Sequence, residues 1–203
     1  MITAQRKRRV TAGFAALRVL VTVLLGCWLI PAHAQVDLGH EGYFNVRSAT
    51  SNVVGGVHEL DARLQLLLSD EANDALTSGV PLRIELQMQV IRERRFLPDA
   101  SEADLNLQYE LEYRPLSQRY IVRNVNSGEQ ESFATLYAAL NNLGRVQNLP
   151  IIDDALLEPD GRYRMRLRAL LSTREYPAPL RLLFFWRDQW QLASDWYEWR
   201  PAR

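Results

Sequence analysis

The stretch Gly161–Leu171, G-R-Y-R-M-R-L-R-A-L-L, leaves the chain that contains it few choices. Tyr163, Met165, Leu167, Ala169 and Leu171 recur at every second position, with Arg162, Arg164, Arg166 and Arg168 between them. Successive side chains of an extended strand point to opposite faces. A strand therefore sets an apolar row against a core and shows four guanidinium groups on its other side. A helix would scatter the same arginines around its axis. The stretch predicts a half-buried strand with a basic outer face.

The same period of two returns along much of the chain. Tyr43–Thr50 reads as a first, edge strand ended by Ser51-Asn52 and Gly55-Gly56, and Val57–Leu68 comes next with Leu60, Ala62, Leu64, Leu66 and Leu68 on one face. After Pro81, Leu82, Ile84, Leu86, Met88 and Val90 alternate with Arg83, Glu85, Gln87 and Gln89. Beyond a turn at Leu97–Ser101, Leu105, Leu107, Tyr109, Leu111 and Tyr113 face inward between Asp104, Asn106, Gln108, Glu110 and Glu112. Ser117–Val125 predicts a strand ending at a hairpin tip, Asn126-Ser127-Gly128. Leu180–Trp186 and Gln191–Tyr197 complete the set. Two helices interrupt the strands. Ser69-Asp70-Glu71 caps one that runs to Thr77 and stops near Gly79. Ser132 caps a second, with Phe133, Leu136, Tyr137, Leu140 and Leu143 as its buried stripe and Gly144 as its end. Pro150–Asp160 reads as an acidic loop. Seven or eight strands with two short helices predict a mainly β, two-layer antiparallel β-sandwich, immunoglobulin-like by strand count, with an open sheet covered by helices as the alternative.

The N-terminus carries a different signal. Arg6, Lys7, Arg8 and Arg9 precede an apolar run from Val19 to Pro31, then Ala32-His33-Ala34 and Gln35. A basic start, a short apolar stretch and an A-x-A exit are the parts of a secretory signal peptide. The run after Arg18 is about half of the ~20 residues that a spanning helix needs. The expected organisation is therefore a signal peptide over 1–34 cleaved after Ala34, a short segment over 35–42 and one sandwich domain over 43–203, placed in the periplasm with no transmembrane segment left after cleavage. Lipidation at Cys27, within Leu24-Leu25-Gly26-Cys27, and a retained N-terminal anchor are the alternatives.

Cleavage changes what chemistry remains. The leader holds five basic and no acidic residues, so 19 basic residues stand against 24 acidic ones after it, a net charge of about −5. Nucleic-acid binding draws on a basic surface, so that partner is not expected. Cys27 and Lys7, the one cysteine and the one lysine, leave with the leader. With them go any disulfide, thiolate nucleophile or Schiff base. His40 and His58 are the histidines left, too few and too far apart for a zinc site, and His58 reads as a solvated side chain. Asp153-Asp154, Glu158 and Asp160-Gly161 do not keep the spacing of a calcium loop. No G-x-S-x-G elbow and no glycine-rich phosphate loop is present. The expectation is a protein without cofactor or metal that binds and does not catalyse, with an enzyme of unrecognised type, built on paired carboxylates, as the remaining alternative.

Several stretches carry a resemblance: Leu66–Ile84, Tyr113–Tyr120, Phe133–Gly144, Arg162–Arg168, and W-Q-L-A-S-D-W at Trp190–Trp196. Together they resemble the proteobacterial exported domain-of-unknown-function family 4390, from about Tyr43 to Trp199. The resemblance implies no activity and no catalytic residues. Genes of that family often lie beside those of a membrane sensor kinase and its response regulator, which implies a role in envelope sensing.

The candidate interaction surface is Arg162, Arg164, Arg166 and Arg168, joined by Trp199 from the aromatic C-terminal end. Two readings of the arginine row stand. Guanidinium forks match the oxygens of an acidic protein, a phosphate or a carboxylate-bearing glycan. Alternatively the row pairs across strands with Asp104, Glu110 and Glu112, or with Glu85, each pair contributing about 0.2–1 kcal/mol. The tryptophans, Trp186, Trp190, Trp196 and Trp199, likewise either form a docking or sugar-stacking face or fill the sandwich core. The expected partner is an envelope or membrane protein, with a small ligand or glycan as the alternative.

Overall fold

A computed structural model of the chain describes residues 40–172 and 192–201. The leader, the Leu180–Trp186 stretch, Trp190 and Gln191 lie outside the described residues. In chain order the elements are β1 (Tyr43–Val54), β2 (Val57–Leu67), α1 (Asp70–Thr77), β3 (Leu82–Glu93), β4 (Ala100–Arg114), β5 (Arg119–Asn124) and β6 (Gln130–Phe133). They continue with α2 (Leu136–Leu143), β7 (Arg145–Asp153), a 3-10 turn at Asp154–Leu156, β8 (Arg162–Ser172) and β9 (Tyr197–Trp199). All strand pairs are antiparallel. One sheet has the order β1-β2-β7 and the other β6-β5-β4-β3-β8-β9. The fold is mainly β, sandwich-like, with two short helices.

The core lies on the side that the alternation assigns to it. Leu60, Ala62, Leu64 and Leu66 of β2 are buried, as are Leu82, Ile84, Leu86, Met88 and Val90 of β3 and Tyr163, Met165, Leu167, Ala169 and Leu171 of β8. A fully buried Met165 or Leu167 contributes roughly 1.5–3 kcal/mol of transfer free energy, so these three strands carry much of the hydrophobic term. β3 pairs with β4 on one side and β8 on the other, which makes the longest clean alternation the centre of the larger sheet.

The local structure departs from its sequence signals in β1, in α2, in β7 and in the closing strand, which among the described residues is Tyr197–Trp199 where Gln191–Tyr197 is expected. The first strand does not stop at Thr50. It runs to Val54, because Gly55 and Gly56, at φ 59° and 85°, make the two-residue turn by themselves and Val54 pairs with Val57. Two positive φ values in succession are what such a hairpin turn needs. The first helix keeps its cap, with Ser69 Oγ accepting from Ala72 N–H. The second is capped by Thr135, whose Oγ1 accepts from Ala138 N–H at 3.1 Å, and not by Ser132, which lies in β6 and accepts from Arg119 Nε. Starting at Leu136, that helix buries Ala139 and Leu140 and, one turn on, Leu143, while Tyr137 projects into solvent at 79% exposure.

The third difference is β7, which carries no strand signal and whose end, Pro150–Asp153, falls in the stretch that reads as a loop. Its pairing with β2 shifts register at His58/Glu59 and again at Leu60/Ala62, and Asn148 has φ 50°. Each shift inserts an unmatched residue and reverses the facing of the residues beyond it. Val146, Ile151 and Ile152 are buried without forming a period-two row, so the strand is hidden from a periodicity reading. Gly144 joins it to α2. Its carbonyl accepts from Leu64 N–H at 2.7 Å, bringing the helix end hard against β2.

Candidate functional site

The arginines of β8 point out of the sandwich, but on the β3 side Arg166 and Arg168 meet amides and not acids. In register with β3, Arg166 faces Gln89, Arg168 faces Gln87 and Arg162 faces Glu93. Arg166 Nε donates to Gln89 Oε1 at 2.7 Å and Arg168 Nε to Gln87 Oε1 at 2.9 Å. Each glutamine then passes its amide N–H to a carboxylate, Gln89 to Asp104 and Gln87 to Glu85. Glu85 is buried on this face and also accepts from Asn106. Asp104 belongs to β4, two strand spacings from β8, about 10 Å. At that distance and physiological salt its attraction for Arg166 is largely screened. Among the described residues neither Arg166 nor Arg168 has a carboxylate partner.

The other two arginines differ. Arg164 bridges Asp99 at 3.2 Å and Glu198 at 3.4 Å. Arg162 is exposed at the start of the strand. The acids Glu110 and Glu112 are occupied elsewhere, Glu110 by Arg83 and Arg123 and Glu112 by Arg114.

The aromatic end divides between the two faces. Trp196 lies over the arginines, with the guanidinium carbons of Arg166 and Arg168 each 4.3 Å from its ring centroid. The ring quadrupole attracts both cations, which lets two like charges stand at neighbouring positions on one strand face. Trp199 pairs with Met165, packs half-buried against the core and donates from Nε1 to Ser51 Oγ at 3.2 Å. The structure thus places Trp199 apart from the arginine row and brings Trp196 to it. A strand reading carries the reason: with Glu198 facing Arg166, Tyr197 and Trp199 take the inward positions.

A second constellation is not legible in the sequence. His58 is not solvated. It occupies a core-facing position of β2, two residues before Leu60, and is 1% exposed. Its Nε2 lies 2.9 Å from Asp154 Oδ1, and Nδ1 is buried with no partner among the described residues. Of the two ring nitrogens, Nε2 is the one placed against the carboxylate, and Nδ1 is the unpaired one. Asp154 opens the 3-10 turn, its own N–H bound to Gly56 O at 2.8 Å, so β7 delivers it to the tip of the β1–β2 hairpin. His58 and Asp154 line a cleft of about 530 Å³ together with Val53, Leu157, Glu158 and Tyr163. Tyr163 folds back over Gly161, where an added Cβ would stand 2.5 Å from the ring, and its hydroxyl accepts from Glu158 N–H at 2.8 Å. Glu158 also holds Arg92, which pairs with Glu102 at 2.9 Å. The hydrogen bond to Glu158, ahead of the opposing effect of burial, raises the Arg92 guanidinium above its ordinary range. The one sequence signal for a buried His58 is that it keeps the period of Leu60, Ala62 and Leu64.

Among the described residues no group of three or more histidine, cysteine or acidic side chains is placed to hold a metal ion, and no helix is long and apolar enough to cross a membrane. A family model described as a domain of unknown function (DUF4390) matches residues 42–200. No curated protein matches, and no solved structure matches.

Proposed function

The chain belongs to the DUF4390 family, a membership that brings no activity with it, and from that premise we propose that it is an exported, non-catalytic binding domain of the cell envelope that docks an acidic protein partner on the outer face of its larger sheet. The observation that carries this reading is the state of Arg166 and Arg168. Both are held in place by neutral amides and a shared tryptophan, and neither is neutralised by a carboxylate among the described residues. Guanidinium groups already fixed in position lose little entropy when they meet carboxylates, and their fork geometry favours bidentate contact. Export rests on the three-part leader. The non-catalytic reading rests on a mature chain without cysteine or lysine. The gene neighbourhood of the family makes the extracytoplasmic part of a membrane sensor kinase the first partner to try.

Affinity capture from envelope extract with the mature domain, at low and at raised salt, tests it. Wild-type protein recovers a partner that salt releases, while the Arg166→Glu/Arg168→Glu double variant, melting at a similar temperature, recovers none. Equal recovery by the double variant overturns the assignment of this face.

A further inference from the structure

The geometry points to a second, separate binding site, the cleft at His58 and Asp154, which takes a small molecule with an apolar body and an ammonium end. It goes beyond the docking face and shares no residue with it. The starting point is His58 itself. A buried imidazole with one nitrogen unpaired is an expense that packing does not explain, since every other residue on that face of β2 is leucine or alanine. What the ring does accomplish is to hold Asp154: the 2.9 Å contact uses Oδ1 and leaves Oδ2 with no partner among the described residues. Glu158 similarly uses Oε1 on Arg92, and its Oε2 has no partner among the described residues. Asp154 Oδ2 and Glu158 Oε2 thus offer acceptor oxygen at the cleft, set against Val53, Leu157 and the ring of Tyr163. Arg92 already serves Glu158 and Glu102, so the local balance is negative. Apolar walls with a few convergent polar groups are how small-ligand sites are built. A cation with three N–H donors satisfies Asp154 and Glu158 together, and an anion meets repulsion from both.

Nuclear magnetic resonance of the labelled mature domain tests this with three probes of one shape: phenethylamine, phenethyl alcohol and 3-phenylpropionate. Saturable shifts of the His58 ring and Val53 methyl signals with phenethylamine alone are the expected result. Asp154→Asn, and independently Glu158→Gln, weaken that binding by about fivefold, as suits exposed carboxylates. Both carboxylates are at the surface, at 57% and 67% side-chain exposure, so either variant folds. No shift with the amine, equal shifts with the alcohol or the carboxylate, or binding that both variants leave unchanged overturns the proposal. The docking face is unaffected by any of these outcomes, because Arg166→Glu/Arg168→Glu leaves the cleft intact.

Discussion

Replacing His58 by leucine measures what the buried imidazole does to stability. The change removes the bond from Nε2 to Asp154, and a hydrogen bond to a charged group is worth about 1.5–3 kcal/mol. Asp154 is 57% exposed and is rehydrated when the imidazole goes, so roughly 0.5–1 kcal/mol of that survives as a loss. Against it, the unpaired Nδ1 disappears, and a buried polar atom without a partner costs about 1–3 kcal/mol. Leucine also continues the apolar row of Leu60, Leu64 and Leu66 and adds about 1 kcal/mol of burial. The balance favours the variant by about 1–3.5 kcal/mol, or roughly 3–10 °C in Tm for a domain of this size. His58→Ala leaves a cavity in the same place and loses about 1–3 kcal/mol. Urea unfolding of both variants, with unchanged m, reads the two signs. If His58→Leu is less stable than wild type by more than about 1 kcal/mol, Nδ1 has a partner and the reasoning fails.

Two further outcomes are expected from packing and burial. Gly144 has an ordinary φ of −75°, yet a Cβ there would come 2.4 Å from Leu64 O, so Gly144→Ala loses about 1–3 kcal/mol by urea unfolding through a backbone clash; a loss below about 0.5 kcal/mol would show that α2 and β2 can part. Burial raises the Tyr109 phenol above its ordinary 10.0. The folded state then holds its proton longer than the unfolded chain, so the stabilising effect is full below about pH 10 and is lost as pH rises through the folded value. Spectrophotometric titration shows one late-ionising tyrosine that Tyr109→Phe removes; a titration that the variant leaves unchanged would refute the assignment.

The sequence alone reveals whatever the chain encodes within a few residues. The alternation of Gly161–Leu171 names which side chains of β8 are buried, and Leu82–Val90 does the same for β3. A serine ahead of two acids marks the start of α1. These signals are local because the facing of a side chain depends only on its position in the strand or turn. β7 shows where that limit falls, since two register shifts against β2 erase the period on which the reading depends.

The site depends on residues far apart in the chain. Acids of β4 are candidates for the arginines by sequence, but strand order puts the glutamines of β3 beside β8 instead, and so leaves Arg166 and Arg168 without a carboxylate among the described residues. Trp196 and Trp199 are three residues apart and lie on opposite sides of the sheet, a choice made by the register of β9 on β8. His58 meets Asp154 across 96 residues because β7 returns beside β2. Periodicity tells a strand which face to bury, whereas the identity of a neighbour is set only when the sheets assemble.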